Sequence, residues 1–327
     1  MYRLSTGFVT ITTGITRYTM QLELLPFREL LLASSLLVFA GCARTPAPLE
    51  IDTTLTPTAR VGQPAYTATV QIEDTPRITE TVQKVIYPTL TPTAMVGQHP
   101  YTATVQIEDE SHTTQTVQVN YLLYLPESYG RDPQQRWPLI LFLHGRGERG
   151  NDLELLKKHP LPKTLEQQSG FPAIVISPQL SLQRLSWSDM IDPLNALIDQ
   201  IQGKYSVDPQ RVYLTGLSMG GFGAWEFALR YPTRFAAVVP VSGGYREGSR
   251  VAPENICDLK DVPIWVFHGG SDTIVPSFHS EILVKALQAC GSDVHFTLYA
   301  GAEHEDGFRR AYTDPELYTW LFVQTQE

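Results

Sequence analysis

Ser218, Asp272 and His304 are the residues of this 327-residue chain whose types and order could do chemistry together. A serine hydroxyl becomes a nucleophile only when a base takes its proton, and the base must be held in the right tautomer by an acid. Ser218 is the centre of Gly216-Leu217-Ser218-Met219-Gly220. Glycines two residues to either side suit a tight strand-to-helix turn, where side chains would collide with neighbouring backbone. Chance produces this pattern in roughly one chain in ten of this length, so its partners must decide the matter. Asp272 ends a Gly-Ser-Asp turn after the apolar run 263–269, and His304 ends Gly301-Ala302-Glu303-His304 after the run 294–299. Alone, an aspartate in a glycine-rich turn is usually a turn former. Together, in the chain order serine, acid, histidine, they fall where open α/β sheets place their sites, just past the carboxyl ends of strands.

The elements that must hold them read from periodicity. Residues 211–215 alternate β-branched and aromatic side chains as a strand does, and residues 222–229 read as a helix, which puts Ser218 in the turn between. Residues 139–143 form another buried strand running into His144-Gly145-Arg146-Gly147-Glu148-Arg149-Gly150. The backbone amides of Met219 and Arg146 are the candidates for an oxyanion hole, the Arg146 guanidinium being solvated or ion-paired. Gly145, Gly147 and Gly150 also match G-x-G-x-x-G, but the next strand, 173–177, ends in Pro178-Gln179 where a dinucleotide site wants an acid. No cofactor is expected, and without a Walker loop, H-E-x-x-H or Cys/His cluster no metal is either.

Other histidines fit the base role less well. His99, His112 and His144 precede the serine, His159 lies in a polar surface stretch, and His268, His279 and His295 lie in or near regular elements, packed or solvated. Glu305 and Asp306 are alternative acids. The loop 179–189 should rim the site, with Trp187 either its pocket wall or a core residue capping the next helix, whose Leu194, Leu197, Ile198 and Ile201 share one face. Residues 242–262 are too short for a helical lid, which implies an open site.

These motifs, together with the runs 234–240, 263–276 and 318–321, resemble the α/β-hydrolase fold over residues 121–322, specifically the secreted carboxylesterase and "predicted peptidase" group. That group is similar to phospholipase/carboxylesterases, dienelactone hydrolases and feruloyl esterases. The resemblance implies a mostly parallel twisted sheet with helices on both faces, and a serine carboxylesterase acting through an acyl-enzyme on small or plant-derived soluble esters. Glu305-Asp306 after the histidine departs from the family's shorter acidic turn. A peptidase or acyltransferase of the same fold, and a non-catalytic surface-binding protein, are the competing readings.

The net charge of −9 argues against nucleic acid, whose binders cluster basic residues. Residues 1–42 read as an export segment, best started at Met20, with Arg28 as n-region and 30–40 as an apolar h-region too short to span a bilayer. Phe39-Ala40-Gly41-Cys42 resembles a lipobox with Phe39 in place of the usual leucine. Lipidation of Cys42 would make the chain a membrane-anchored extracytoplasmic lipoprotein; the alternative is plain secretion. Outside the cytoplasm Cys257 and Cys290, each ahead of a neighbouring strand, could form a disulfide remote from the site, although Cys290 could equally extend the apolar stripe of its own helix.

Residues 43–100 read as a Thr/Pro-rich tether, clearest over 43–58, carrying a duplicated segment, and residues 101–327 as the catalytic domain. Residues 55–74 recur as 90–109, differing only at Arg60/Met95, Pro64/His99 and Ala65/Pro100. The second copy leads into 116–125, so 101–107 and that run should form an opening antiparallel hairpin, leaving the first copy without a place in the sheet.

Overall fold

A computed structural model describes residues 96–108, 113–167 and 170–326 in full, and the backbone of five strands before them. The export segment around 24–42, Cys42, most of the tether and His112 lie outside the described residues. Contacts divide the chain into two compact units, residues 1–91 and 92–327.

In the first unit Thr6–Thr13 pairs antiparallel with Thr16–Glu23, and Thr53–Arg60, Gln63–Val70 and Lys84–Ile86 form a separate antiparallel sheet. The first repeat copy therefore pairs with its own neighbours. Tyr66 lies opposite Ile86, and in the second unit Tyr101 lies opposite Tyr121. Both members of each pair are related by the same offset of 35 residues, so one strand of each repeat copy pairs with a partner beyond the copy in an equivalent register.

The second unit is built on eight strands: β1 (Gly97–Glu108), β2 (Thr114–Leu125), β3 (Trp137–Leu143), β4 (Ile174–Pro178), β5 (Val207–Leu217), β6 (Ala237–Val241), β7 (Trp265–Gly269) and β8 (His295–Tyr299). Strand β1 starts ahead of residue 101, the expected domain start. The sheet order is β8-β7-β6-β5-β3-β4-β2-β1. Only β1–β2 and β2–β4 are antiparallel; the rest of the sheet is parallel. Among the described residues six helices accompany it: α1 (Pro160–Gln167), α2 (Ile191–Lys204), α3 (Met219–Arg230), α4 (Phe278–Ala289), α5 (His304–Thr313) and α6 (Pro315–Leu321).

Strands β3, β4 and β6 are buried at every position, which is why they read as continuous apolar runs rather than alternating ones. Two apolar clusters result. One packs Leu194, Leu197, Ile198 and Ile201 of α2 and Trp225 and Phe227 of α3 on one face of the sheet. The other packs Phe308 and Tyr312 of α5 and Leu317 and Leu321 of α6 against Phe142, Tyr213 and Phe267. The parallel strands all end on one edge. Leu217 of β5 lies beside Val241, and Val241 beside Phe267, so the loops after β3, β5, β6, β7 and β8 converge there.

Candidate active site

Ser218 sits between the last residue of β5 and the first of α3, with φ 54° and ψ −118°. A side-chain-bearing residue rarely adopts this conformation, which costs roughly 1–3 kcal/mol and persists only where the surroundings enforce it. Here the Ser218 amide donates to Val241 O at 2.9 Å, and Ser218 O accepts from the Phe222 amide at 3.1 Å. The flanking glycines are steric requirements. A Cβ on Gly216 would lie 2.2 Å from Gly220 O, and one on Gly220 1.9 Å from Leu143 O. The hydroxyl is left partly exposed above the sheet edge.

His304 opens α5, and its Nε2 lies 2.8 Å from Ser218 Oγ while its Nδ1 lies 2.6 Å from Asp272 Oδ2. An ionised carboxylate only accepts hydrogen bonds, so Nδ1 carries the ring proton and Nε2 is free to accept from the serine. The buried Asp272 carboxylate receives the Ile274 and Val275 amides on Oδ1, at 3.0 and 2.8 Å. Burial alone would raise its pKa, but hydrogen bonds from His268, His304 and the Val275 amide outweigh that and hold it far below the usual carboxylate range. The alternative acids are elsewhere: Asp306 pairs with Arg309 and Arg310 on its own helix, and Glu305 is exposed.

The β3 loop passes close over the serine. A Cβ on Gly145 would stand 3.6 Å from Ser218 Cβ, and residues Arg146–Glu148 coil into a short 3-10 turn. The Arg146 and Met219 amides have no acceptor among the described residues, and they belong to the segments flanking the hydroxyl. His144 orders the turn. Its Nε2 accepts from the Leu180 amide at 2.9 Å, so its proton is on Nδ1, which donates to Gly145 O at 2.5 Å. That carbonyl belongs to the peptide unit carrying the Arg146 N–H. Burial pushes the His144 pKa down to about 4, so the ring is neutral at physiological pH.

Glu148 closes the turn, accepting from His159 Nε2 at 2.7 Å on Oε1, with its carbonyl accepting from Gln179 Nε2 at 2.8 Å. His159 is therefore not on a solvated stretch: its ring meets Phe308 edge-on at 5.6 Å, and Phe308 meets His304 at 5.6 Å. The Arg146 guanidinium reaches across to Glu247 at 3.0 Å, exposed on both sides.

Two residues take the buried one of the roles left open for them. Trp187 is not a pocket wall: it is 1% exposed, its Nε1 donates to His144 O at 3.1 Å, and Gly223 of α3 is small enough to admit it. An indole this large in a short loop finds its burial under the sheet end, against His144. His268, expected to be packed or solvated, is buried beside Asp272, with Nε2 3.4 Å from Oδ2. Its spacing of four residues from the aspartate was the available signal, obscured because the strand it ends looked sufficient to explain it. Cys257 and Cys290 are joined by a disulfide between a 3-10 turn and the end of α4. No group of three or more His, Cys, Asp or Glu among the described residues could hold a metal.

Residues 162–309 match the phospholipase/carboxylesterase family. The chain is 29% identical over 188 residues to a bifunctional acetylxylan esterase/xylanase of Neocallimastix patriciarum, covering 56% of this chain and 26% of that protein. It is 26% identical over 162 residues to a probable feruloyl esterase C of Aspergillus terreus, covering 48% and 56%. The chain thus spans about a quarter to about half the length of these curated relatives. Among solved structures, a thermostable esterase is 31% identical with TM-score 0.53, covering 68% of this chain and 63% of that one. An acylaminoacyl peptidase of Pyrococcus horikoshii, 14% identical with TM-score 0.51 over 82% of this chain and 49% of that one, shares the fold. The chain resembles the α/β-hydrolase serine esterases, and its mostly parallel sheet with an antiparallel start is the α/β-hydrolase fold. Among the described residues no helix is long and apolar enough to cross a membrane.

Proposed function

We propose that this chain is a serine carboxylic ester hydrolase that works through an acyl-enzyme on small or plant-derived soluble esters. The observation that carries the reading is the line Ser218 Oγ, His304 Nε2, His304 Nδ1, Asp272 Oδ2, with separations of 2.8 and 2.6 Å, beside two amides without acceptors among the described residues. In this reading Ser218 Oγ attacks the ester carbonyl while His304 Nε2 takes its proton. The developing oxyanion is held by the Met219 and Arg146 amides, and Asp272 stabilises the imidazolium. Collapse expels the alcohol, which receives the proton from His304, and water repeats the steps to release the acid.

Relatives named as acetylxylan and feruloyl esterases support esters linked to plant polysaccharides as the substrate class. Full-length protein should therefore hydrolyse p-nitrophenyl acetate, methyl ferulate or acetylated xylan, and Ser218→Ala should cut turnover by several orders of magnitude without unfolding the chain. Turnover of a peptide anilide in preference to every ester would move the assignment to a peptidase, and turnover retained by Ser218→Ala would refute the nucleophile.

Export, with a lipid anchor on Cys42, is the second part of the proposal, supported by the lipobox-like Phe39-Ala40-Gly41-Cys42 and by likeness to a secreted protein of Arthroderma benhamiae, 25% identical over 207 residues. Expression in a bacterial host with labelled palmitate should label the parent and not Cys42→Ser; equal labelling of both would overturn the anchor.

A further inference from the structure

We propose that His268 is a positioning residue for Asp272, a second histidine that aims the carboxylate at His304; this rests on the triad reading above. The donors around the Asp272 carboxylate leave room for one ring position. Asp272 Oδ1 is filled by the Ile274 and Val275 amides, at 3.0 and 2.8 Å. Only Oδ2 remains for a ring, and it faces two: His304 Nδ1 at 2.6 Å and His268 Nε2 at 3.4 Å.

His268 Nε2 also lies 2.7 Å from Val275 O, and a carbonyl can only accept, so this nitrogen bears a proton. One N–H edge therefore holds the carbonyl of the residue whose own amide grips Asp272 Oδ1, and presents its positive end towards Oδ2. The turn from Asp272 to Val275 is fastened on both sides of one peptide-linked residue. The ring is anchored from behind: Nδ1 lies 2.7 Å from Ser280 Oγ, which also contacts Gly243 O at 3.1 Å.

Burial makes the arrangement consequential. His268 and Ser280 are both 0% exposed, so no solvent water stands ready to replace the lost donor. Without it the Val275 carbonyl loses its donor and the 272–275 turn loses its fastening. Asp272 can then rotate away from His304 Nδ1, and the hydroxyl of Ser218 faces a base in the wrong orientation. Such a loss acts on the chemical step and not on substrate binding, because neither His268 nor Ser280 reaches the solvent-facing cleft.

The test uses the full-length protein. His268→Leu should lower kcat about 30-fold with KM changed by less than about twofold. His268→Gln, which keeps a side-chain N–H, should recover to within about fivefold of the parent. A second readout is independent of turnover: the far-downfield proton resonance of the His304 Nδ1–H to Asp272 bond. It should be present in the parent and in Ser218→Ala, and lost or shifted upfield in His268→Leu. If His268→Leu fails to fold, Ser280→Ala takes its place, with a fall in kcat of about fivefold and the same direction of shift. Parental kcat together with an unmoved resonance in the folded variant would overturn the proposal. Should the parent hydrolyse no ester at all, the esterase reading fails by itself, and the resonance still decides whether His268 orients Asp272.

Discussion

At the scale of single residues, the site is a set of protonation states enforced by hydrogen bonds. His144 shows the cost. Burial lowers its pKa to about 4, whereas an unfolded histidine titrates near 6.5. Above about pH 6.5 the ring is neutral in both states; between that value and about 4 only the unfolded chain binds the proton, so stability falls as pH falls. Denaturant unfolding at pH 7 and pH 5 should show the parent losing about 2 kcal/mol more than His144→Gln over that interval, and equal losses would contradict a neutral buried ring. Asp272 adds a loss of the same sign at lower pH. Its depressed pKa contributes stability that is present above about pH 4 and is lost only in strong acid. Ser218, Asp272 and His304 were legible because each follows a strand that reads plainly. His268 and Glu148 were not, because a buried histidine or glutamate takes its meaning from a partner that only the fold supplies.

At the scale of elements, strain at one turn is compensated by the packing of three. The Ser218 turn is held where β5 meets α3, and Gly220 lets that helix approach Leu143 O at the end of β3. The strand and helix boundaries were readable to within a few residues because the central strands are buried on both faces and appear as apolar runs. Trp187 stayed open between two roles for the complementary reason: an aromatic in a loop between a strand and a helix carries no sign of which side it packs on. The Cys257–Cys290 disulfide ties the turn before β7 to the end of α4, with a sequence separation of 33. A loop of that size gives about 3–4 kcal/mol in the chain-entropy account. Cys257→Ala/Cys290→Ala should lose stability of that order in denaturant titrations while keeping the parental KM and kcat, since neither cysteine lies on a loop that carries Ser218, Asp272 or His304. An unchanged unfolding midpoint would remove the bridge from the stability account.

At the scale of the molecule, one sheet edge collects the chemistry. Loops following β3, β5, β7 and β8 bring together Arg146, Ser218, Asp272 and His304 from segments spanning more than half of the second unit. The fold was legible because its alternation of strand and helix is regular, whereas the repeat was only half legible. Its two copies were plain as letters, but that Gln63–Val70 and Gly97–Glu108 each pair with a following strand in the same register required the pairing itself. Catalysis through an acyl-enzyme requires a covalent bond to form at one oxygen, Ser218 Oγ. The most direct measurement is mass spectrometry of the full-length protein, acid-quenched during turnover of p-nitrophenyl acetate and digested. An acetyl group on the peptide containing Ser218, absent from Ser218→Ala, is the predicted result. Continued turnover with that peptide unmodified in quenched parent, or with the acetyl group formed equally in Ser218→Ala, would contradict it.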